Sequence, residues 1–134
     1  MYLGLLNEEQ KELCIGLAIN LASIDGNFSD EEKTMIDAYC YEMGISYDYN
    51  KEVAETSDIV ERLHAISDIR EKKIIVFEAI GLAMADNDFH EKERTMIRTM
   101  VQKFNIEESY IDECEHVIEE YTQFQTRINS LVIG

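Results

Sequence analysis

The chain has no proline and only six glycines among its 134 residues. With so few helix breakers and long apolar patterns of period 3.6, it reads as all-α. Basic residues are also scarce: twelve Lys and Arg stand against 28 Asp and Glu, a formal charge of −16. Such a surface repels phosphates and anionic lipid, which excludes the basic footprint of a DNA or RNA reader. It attracts cations, metal ions and basic protein surfaces, and it confers solubility. No apolar run approaches the roughly 18 residues a membrane span needs, and Met1–Glu9 lacks the basic region of a signal peptide. The expectation is a soluble, cytoplasmic protein.

Cysteine is sparse too. Cys14, Cys40 and Cys114 form no C-x-x-C, and each falls on an apolar helical stripe, so buried reduced thiols are expected. Nucleophile elbow, phosphate loop and zinc-ligand spacing are all missing, which points away from an enzyme. What is present is apolar material, 46% of the chain, enough for a core in one domain over residues 1–134.

The chain repeats itself at an offset of 61 residues. Residues 18–45 align without a gap on 79–106, and eleven of the 28 positions are identical, against about one or two by chance. The identities include Ala18/Ala79, Leu21/Leu82, Asp25/Asp86, Phe28/Phe89, Glu32/Glu93 and Ile36/Ile97. Each copy reads as a helical hairpin. In the first, about 7–45, a helix from Asn7 to Ile24 carries Leu13, Leu17 and Leu21, and a second runs from Asp30 to Met43. In the second, about 68–106, the helices cover Asp68–Ala85 and Glu91–Phe104. Small Ala18, Ala22, Ala79 and Ala83 allow close helix approach. A short linking helix follows Ser57-Asp58, and a last helix, about 107–131, carries Tyr110, Cys114, Val117, Tyr121, Phe124, Ile128 and Leu131. One hairpin cannot bury its apolar face alone. The expected architecture is therefore a single compact bundle of two pseudo-twofold-related hairpins, with the last helix as a lid over both.

The hairpin elbows hold the candidate chemistry. They read Asp25-Gly26-Asn27-Phe28-Ser29-Asp30-Glu31-Glu32 and Asp86-Asn87-Asp88-Phe89-His90-Glu91-Lys92-Glu93. Much of this is structural. Asp-Gly and Asp-Asn are turn dipeptides, the phenylalanines pin the loops, and Ser29 with Glu32 forms a capping box. Two features point further. Asp25 and Asp86 fall near helix C-termini, where the macrodipole disfavours an anion. Glu93 is present although His90 is a poor cap. Oxygen ligands from Asp25, Asp30, Glu32, Asp86, Asp88 and Glu93 would suit Ca²⁺ or Mg²⁺. The spacing is not an EF-hand, because positions six and twelve from Asp25 are Asp30 and Ile36.

Two elbows of the form Ala-x-x-Asp-Gly-x-apolar-Ser-x-x-Glu resemble the TerB family of tellurite-resistance proteins and the related domains of some co-chaperones. The resemblance spans about residues 10–128. It implies a cytoplasmic stress-response or envelope-associated domain whose acidic clusters chelate metal and whose members act through partners, membrane-bound ones included, instead of by catalysis. The family's acidic positions fall on Asp25, Glu32, Asp86 and Glu93. Ile24 stands in place of the usual Ala, Asn87 of Gly and His90 of Ser.

Outside the elbows, Tyr41, Tyr47 and Tyr49 crowd the end of the first hairpin as a candidate partner surface. His90, between Asp88 and Glu91, is a candidate ligand or pH-sensitive contact. The leading expectation is a non-enzymatic domain that presents duplicated Asp/Glu junctions to a divalent cation or a basic protein partner. The alternatives are a pure interaction module with no metal site and an acidic nucleic-acid mimic.

Overall fold

A computed structural model describes residues 1–24, 26, 28–48, 52–85 and 89–134. A 3₁₀ turn at Leu3–Leu5 precedes α1 (Glu8–Ser23), α2 (Asp30–Met43), α3 (Thr56–Ile66), α4 (Ile69–Ala83), α5 (Glu91–Lys103) and α6 (Ser109–Val132). No strand occurs among the described residues. The fold is all-α, as the period and the lack of proline imply.

Local rules set the helix ends, and the two copies obey them in the same way. All four hairpin helices begin in reciprocal capping boxes: Asn7 with Gln10, Ser29 with Glu32, Asp68 with Glu71, His90 with Glu93. These pairs are themselves 61 residues apart, so the duplication reaches the caps. The second helix of each hairpin also ends alike. Gly44 and Asn105 adopt positive φ, 70° and 58°. The next amide then turns back to the helix, Ile45 N–H donating to Cys40 C=O at 3.0 Å and Ile106 N–H to Val101 C=O at 2.9 Å. Glycine meets this left-handed requirement without strain, and asparagine tolerates it better than most residues.

Helices α1 and α4 form the centre. Five consecutive residues of α1, Cys14 to Ala18, are buried, as are Ile74 to Val76 and Glu78 to Ile80 of α4. A helix apolar on nearly every face must be enclosed by others. α1 packs on α2, α3, α4 and α5, while α4 packs on α1, α2, α5 and α6. Ala18, Ala22, Ala79 and Ala83 are all buried, and Leu21, Leu82, Ile36 and Ile97 are sealed from solvent. Periodicity places one stripe of α1 at Leu13, Leu17 and Leu21; the structure adds a second face, covered by the linker. A Cβ on Gly16 would lie 3.2 Å from Ile59 Cδ1 and 3.3 Å from Val53 Cγ1, so α3 and the segment before it approach α1 closely at this glycine.

Several polar groups inside this core join its elements. Tyr39 donates its hydroxyl to the Glu78 carbonyl at 2.9 Å, joining α2 to α4. The buried Glu78 carboxylate accepts from the Met1 ammonium and the Tyr2 N–H, both at 2.9 Å, which latches the N-terminal turn onto α4. Gln10, fully buried, completes its box and donates to Ser67 Oγ at 3.0 Å.

The last helix departs from expectation. It does not lid both hairpins. Ile111 and Cys114 bury against the bundle, Tyr110 and Ile118 sit at the margin, and α6 packs on α4 of the second hairpin. From Glu119 to Gly134 every residue is exposed. Helical spacing shows that a stripe exists; it cannot show how much of it the rest of the chain is large enough to cover.

The duplicated core makes a paired prediction. Leu21→Ala and Leu82→Ala should each cost about 3 kcal/mol in urea unfolding, within error of one another, because both lose the same buried volume. The thiols give a second. Burial, and then the Glu78 charge, push Cys14 up to about 12. Cys40 and Cys114 are raised as well, burial being the main cause in both. A thiolate-selective reagent at pH 8 should label none of the three quickly until denaturant is added.

Candidate functional site

The first elbow is built by its cap. Ser29 Oγ accepts from Glu32 N–H at 3.1 Å. Glu32 Oε1 accepts in return from Ser29 N–H at 3.1 Å and from the Ser29 hydroxyl at 3.0 Å. Asp30, in the exposed first turn of α2, adds a negative charge where the helix dipole favours one.

The cap of α5 is closed with different chemistry. His90 Nδ1 accepts from Lys92 N–H at 3.1 Å, and Glu93 Oε1 accepts from His90 N–H at 3.1 Å. The imidazole thus serves as a cap acceptor. That removes one reason to seek another task for Glu93, since its carboxylate does for α5 what Glu32 does for α2. Both glutamates are equally enclosed, 3% exposed.

Phe89 is pinned as expected, half-buried beneath the Arg94 guanidinium, which lies 4.1 Å from the ring centroid. Arg94 in turn grips Glu115 of α6 with two hydrogen bonds of 3.1 and 3.2 Å. The second elbow is thereby tied through α5 to the start of α6. Phe28 is more open, 37% exposed.

Of the six acids proposed as cation ligands, Asp25, Asp86 and Asp88 lie outside the described residues. Asp30, Glu32 and Glu93 lie within them, and two of these three commit an oxygen to a cap. Among the described residues no three His, Cys, Asp or Glu side chains gather closely enough to hold a metal ion. The described part of the donor set therefore does not by itself fit Ca²⁺ or Mg²⁺.

The tyrosines separate. Tyr39 is core, Tyr41 stands 90% exposed on α2, and Tyr49 lies outside the described residues. Tyr47 is half-buried and lines a groove of about 580 Å³ between α1 and the segment leading to α3. Burial, reinforced by the neighbouring Asp48, raises its pKa. The groove floor is apolar, with Leu13, Ile45, Val53 and Ile59, and its rim carries Glu12, Asp48 and Glu52. Glu9, also on the rim, is held by Arg62 through hydrogen bonds of 2.6 and 3.0 Å, which keep its carboxyl below the usual range. Sequence reading missed this groove. Its signal was present in the acids of α1 at Glu9 and Glu12 and those flanking Tyr47, but nothing in their spacing shows that the linker folds back along α1.

A duplicated helical hairpin with acidic, glutamate-capped elbows defines a small acidic α-helical domain. The family model described as tellurite resistance protein TerB matches residues 15–116, and the chain belongs to that family. A tellurite resistance protein from Nostoc punctiforme, known from a crystal structure, has the same fold. Its TM-score is 0.64 at 24% identity, over 96% of this chain and 84% of that one. No curated protein matches the chain at a significant level. No helix among the described residues is long and apolar enough to cross a membrane.

The caps are testable one by one. Ser29→Ala should cost about 1 kcal/mol of unfolding free energy, the ordinary value of an N-cap acceptor. His90→Ser should preserve or raise stability by a few tenths of a kcal/mol, because a hydroxyl is the better acceptor at that position. Thermal or urea melts would check both.

Proposed function

We propose that this TerB-family domain acts by binding instead of catalysis, and that its ligand is a basic segment of a protein partner. The observation that carries the reading is the acid-rimmed groove beside Tyr47. An Arg or Lys stem would lie along Leu13, Ile45 and Val53 while its cationic head met Glu12 or Glu52. The ring of Tyr47 adds contact area at small entropic cost. The net charge of −16 would speed the encounter and make it sensitive to salt.

A divalent cation at the elbows is the second reading. It is supported by the equal enclosure of Glu32 and Glu93, which sets both loop exits in one geometry even where Ser is replaced by His. The ligands would be Asp25, Asp86 and Asp88, with Asp30 and the glutamates in support. The family's association with tellurite resistance favours a stress-related role for either form of binding.

Two measurements separate these. In calorimetry with Ca²⁺ and then Mg²⁺ at millimolar concentration, the cation reading expects heat that disappears in the Asp25→Asn, Asp86→Asn double variant. Absence of heat in the parent protein removes that reading. For the groove, a fluorescent Lys- and Arg-rich peptide should bind the parent protein, and Tyr47→Ala with Glu52→Gln should weaken it at least tenfold, while Asp30→Asn changes little. Equal losses in both variants would mean that net charge alone is being measured.

A further inference from the structure

The exposed half of α6 carries a seam that no helix among the described residues covers. Its apolar residues fall at Tyr110, Cys114, Val117, Tyr121, Phe124, Ile128 and Leu131, spaced four and three alternately. This is the spacing of a coiled-coil seam, with Cys114, Tyr121 and Ile128 at one repeating position and the others at the second. The N-terminal end of the seam is spent on the bundle, since Cys114 is buried. Beyond it Val117, Tyr121, Phe124, Ile128 and Leu131 are 44–87% exposed. A free helix of this length is marginal in water without packing.

Where the seam leaves the bundle it borders an apolar groove of about 660 Å³, lined among others by Leu5, Ile69, Phe77, Val117 and Tyr121. The charged side chains on that groove are Arg70 and Lys73, both cationic in a strongly acidic protein. Groove and seam form one continuous surface through Val117 and Tyr121.

We infer that this surface receives a second copy of the chain, with the two α6 helices antiparallel and crossing between Thr122 and Gln123. Three observations select that occupant and that orientation. In this register Tyr121 meets Phe124 of the second copy, and Val117 meets its Ile128, so four of the five exposed seam residues gain an apolar neighbour, while Leu131 falls opposite the buried Cys114. The residues flanking the seam then become complementary. Arg127 is the sole Lys or Arg of α6, and it falls opposite Glu120 of the second copy, twice by symmetry. In a parallel pair Glu120 would face Gln125 and Arg127 would face Val132, with no charge match. Glu120 touches His116 within its own helix at 3.0 Å, yet its side chain remains 63% exposed and available.

The net charge makes the same choice. A parallel pair would set two bodies of charge −16 side by side. The antiparallel pair sets the points where the two α6 helices leave their bundles about 25 Å apart along the axis, which lessens the repulsion between the two bodies. The two seams together bury on the order of 1,000 Å², close to the lower bound for a specific interface, which sets the expected dissociation constant in the micromolar range.

Sedimentation velocity on the full chain, from about 1 to 200 μM, should show a monomer–dimer equilibrium. Phe124→Asp should abolish the dimer while leaving the helical circular dichroism of the bundle in place. Arg127→Glu should weaken association about tenfold, and adding Glu120→Arg to it should restore association. Spin labels at Gln123 should approach closely across the dimer, whereas labels at Asn129 should stand about 20 Å apart along the axis. A protein monomeric throughout that range overturns the inference, as does a dimer indifferent to Phe124→Asp. Equal label distances at the two positions, or no rescue by the charge swap, overturn the antiparallel arrangement.

Discussion

Neither hairpin of this protein can bury its own apolar surface, and the rest of the structure follows from that constraint. α1 and α4 are apolar on nearly every side, so each must be wrapped by the other and by the second helix of the opposite hairpin. Alanines at four related positions let the central helices come close, and the paired leucines and isoleucines around them are excluded from water. Among the described elbow residues Gly26, Phe28 and Glu91 are exposed, since a helix enclosed on its sides can expose only its ends.

That arrangement explains why the elbow glutamates are buried while the elbow acids near them need not be. A capping glutamate satisfies a backbone donor at a helix start that lies against the core, where an unpaired N–H would be costly. Two helices of the same duplicated unit need the same device, so Glu32 and Glu93 recur for a structural reason. The replacement of Ser29 by His90 in the second copy shows how little that device demands: one acceptor atom in the right place is enough, and an imidazole nitrogen provides it.

The acidic charge is spread unevenly in its consequences. On the rim of the groove beside Tyr47 it surrounds an apolar floor, the combination that recognises a basic side chain by both stem and head. Around Arg94 and Glu115 it serves packing, tying the second elbow to α6. Along α6 a single arginine, Arg127, interrupts the acids.

The amino-acid sequence by itself determined the helices, their ends and their duplication. Apolar period, capping residues and a 61-residue offset are local or linear properties, and each carries its own free energy whatever the rest of the chain does. Hence the caps Asn7 and Ser29 and the buried Leu17, Leu21 and Leu63 could be read directly, as could the family. Tertiary structure alone decided which apolar stripes find cover. Nothing local distinguishes Ile111 from Phe124, both on the same helix at sound helical positions, yet one is sealed against α4 and the other stands in water. The difference is the finite length of α4, a property of the folded body. The groove beside Tyr47 has the same origin, since it exists only because residues 52–59 return along α1 to cover Gly16.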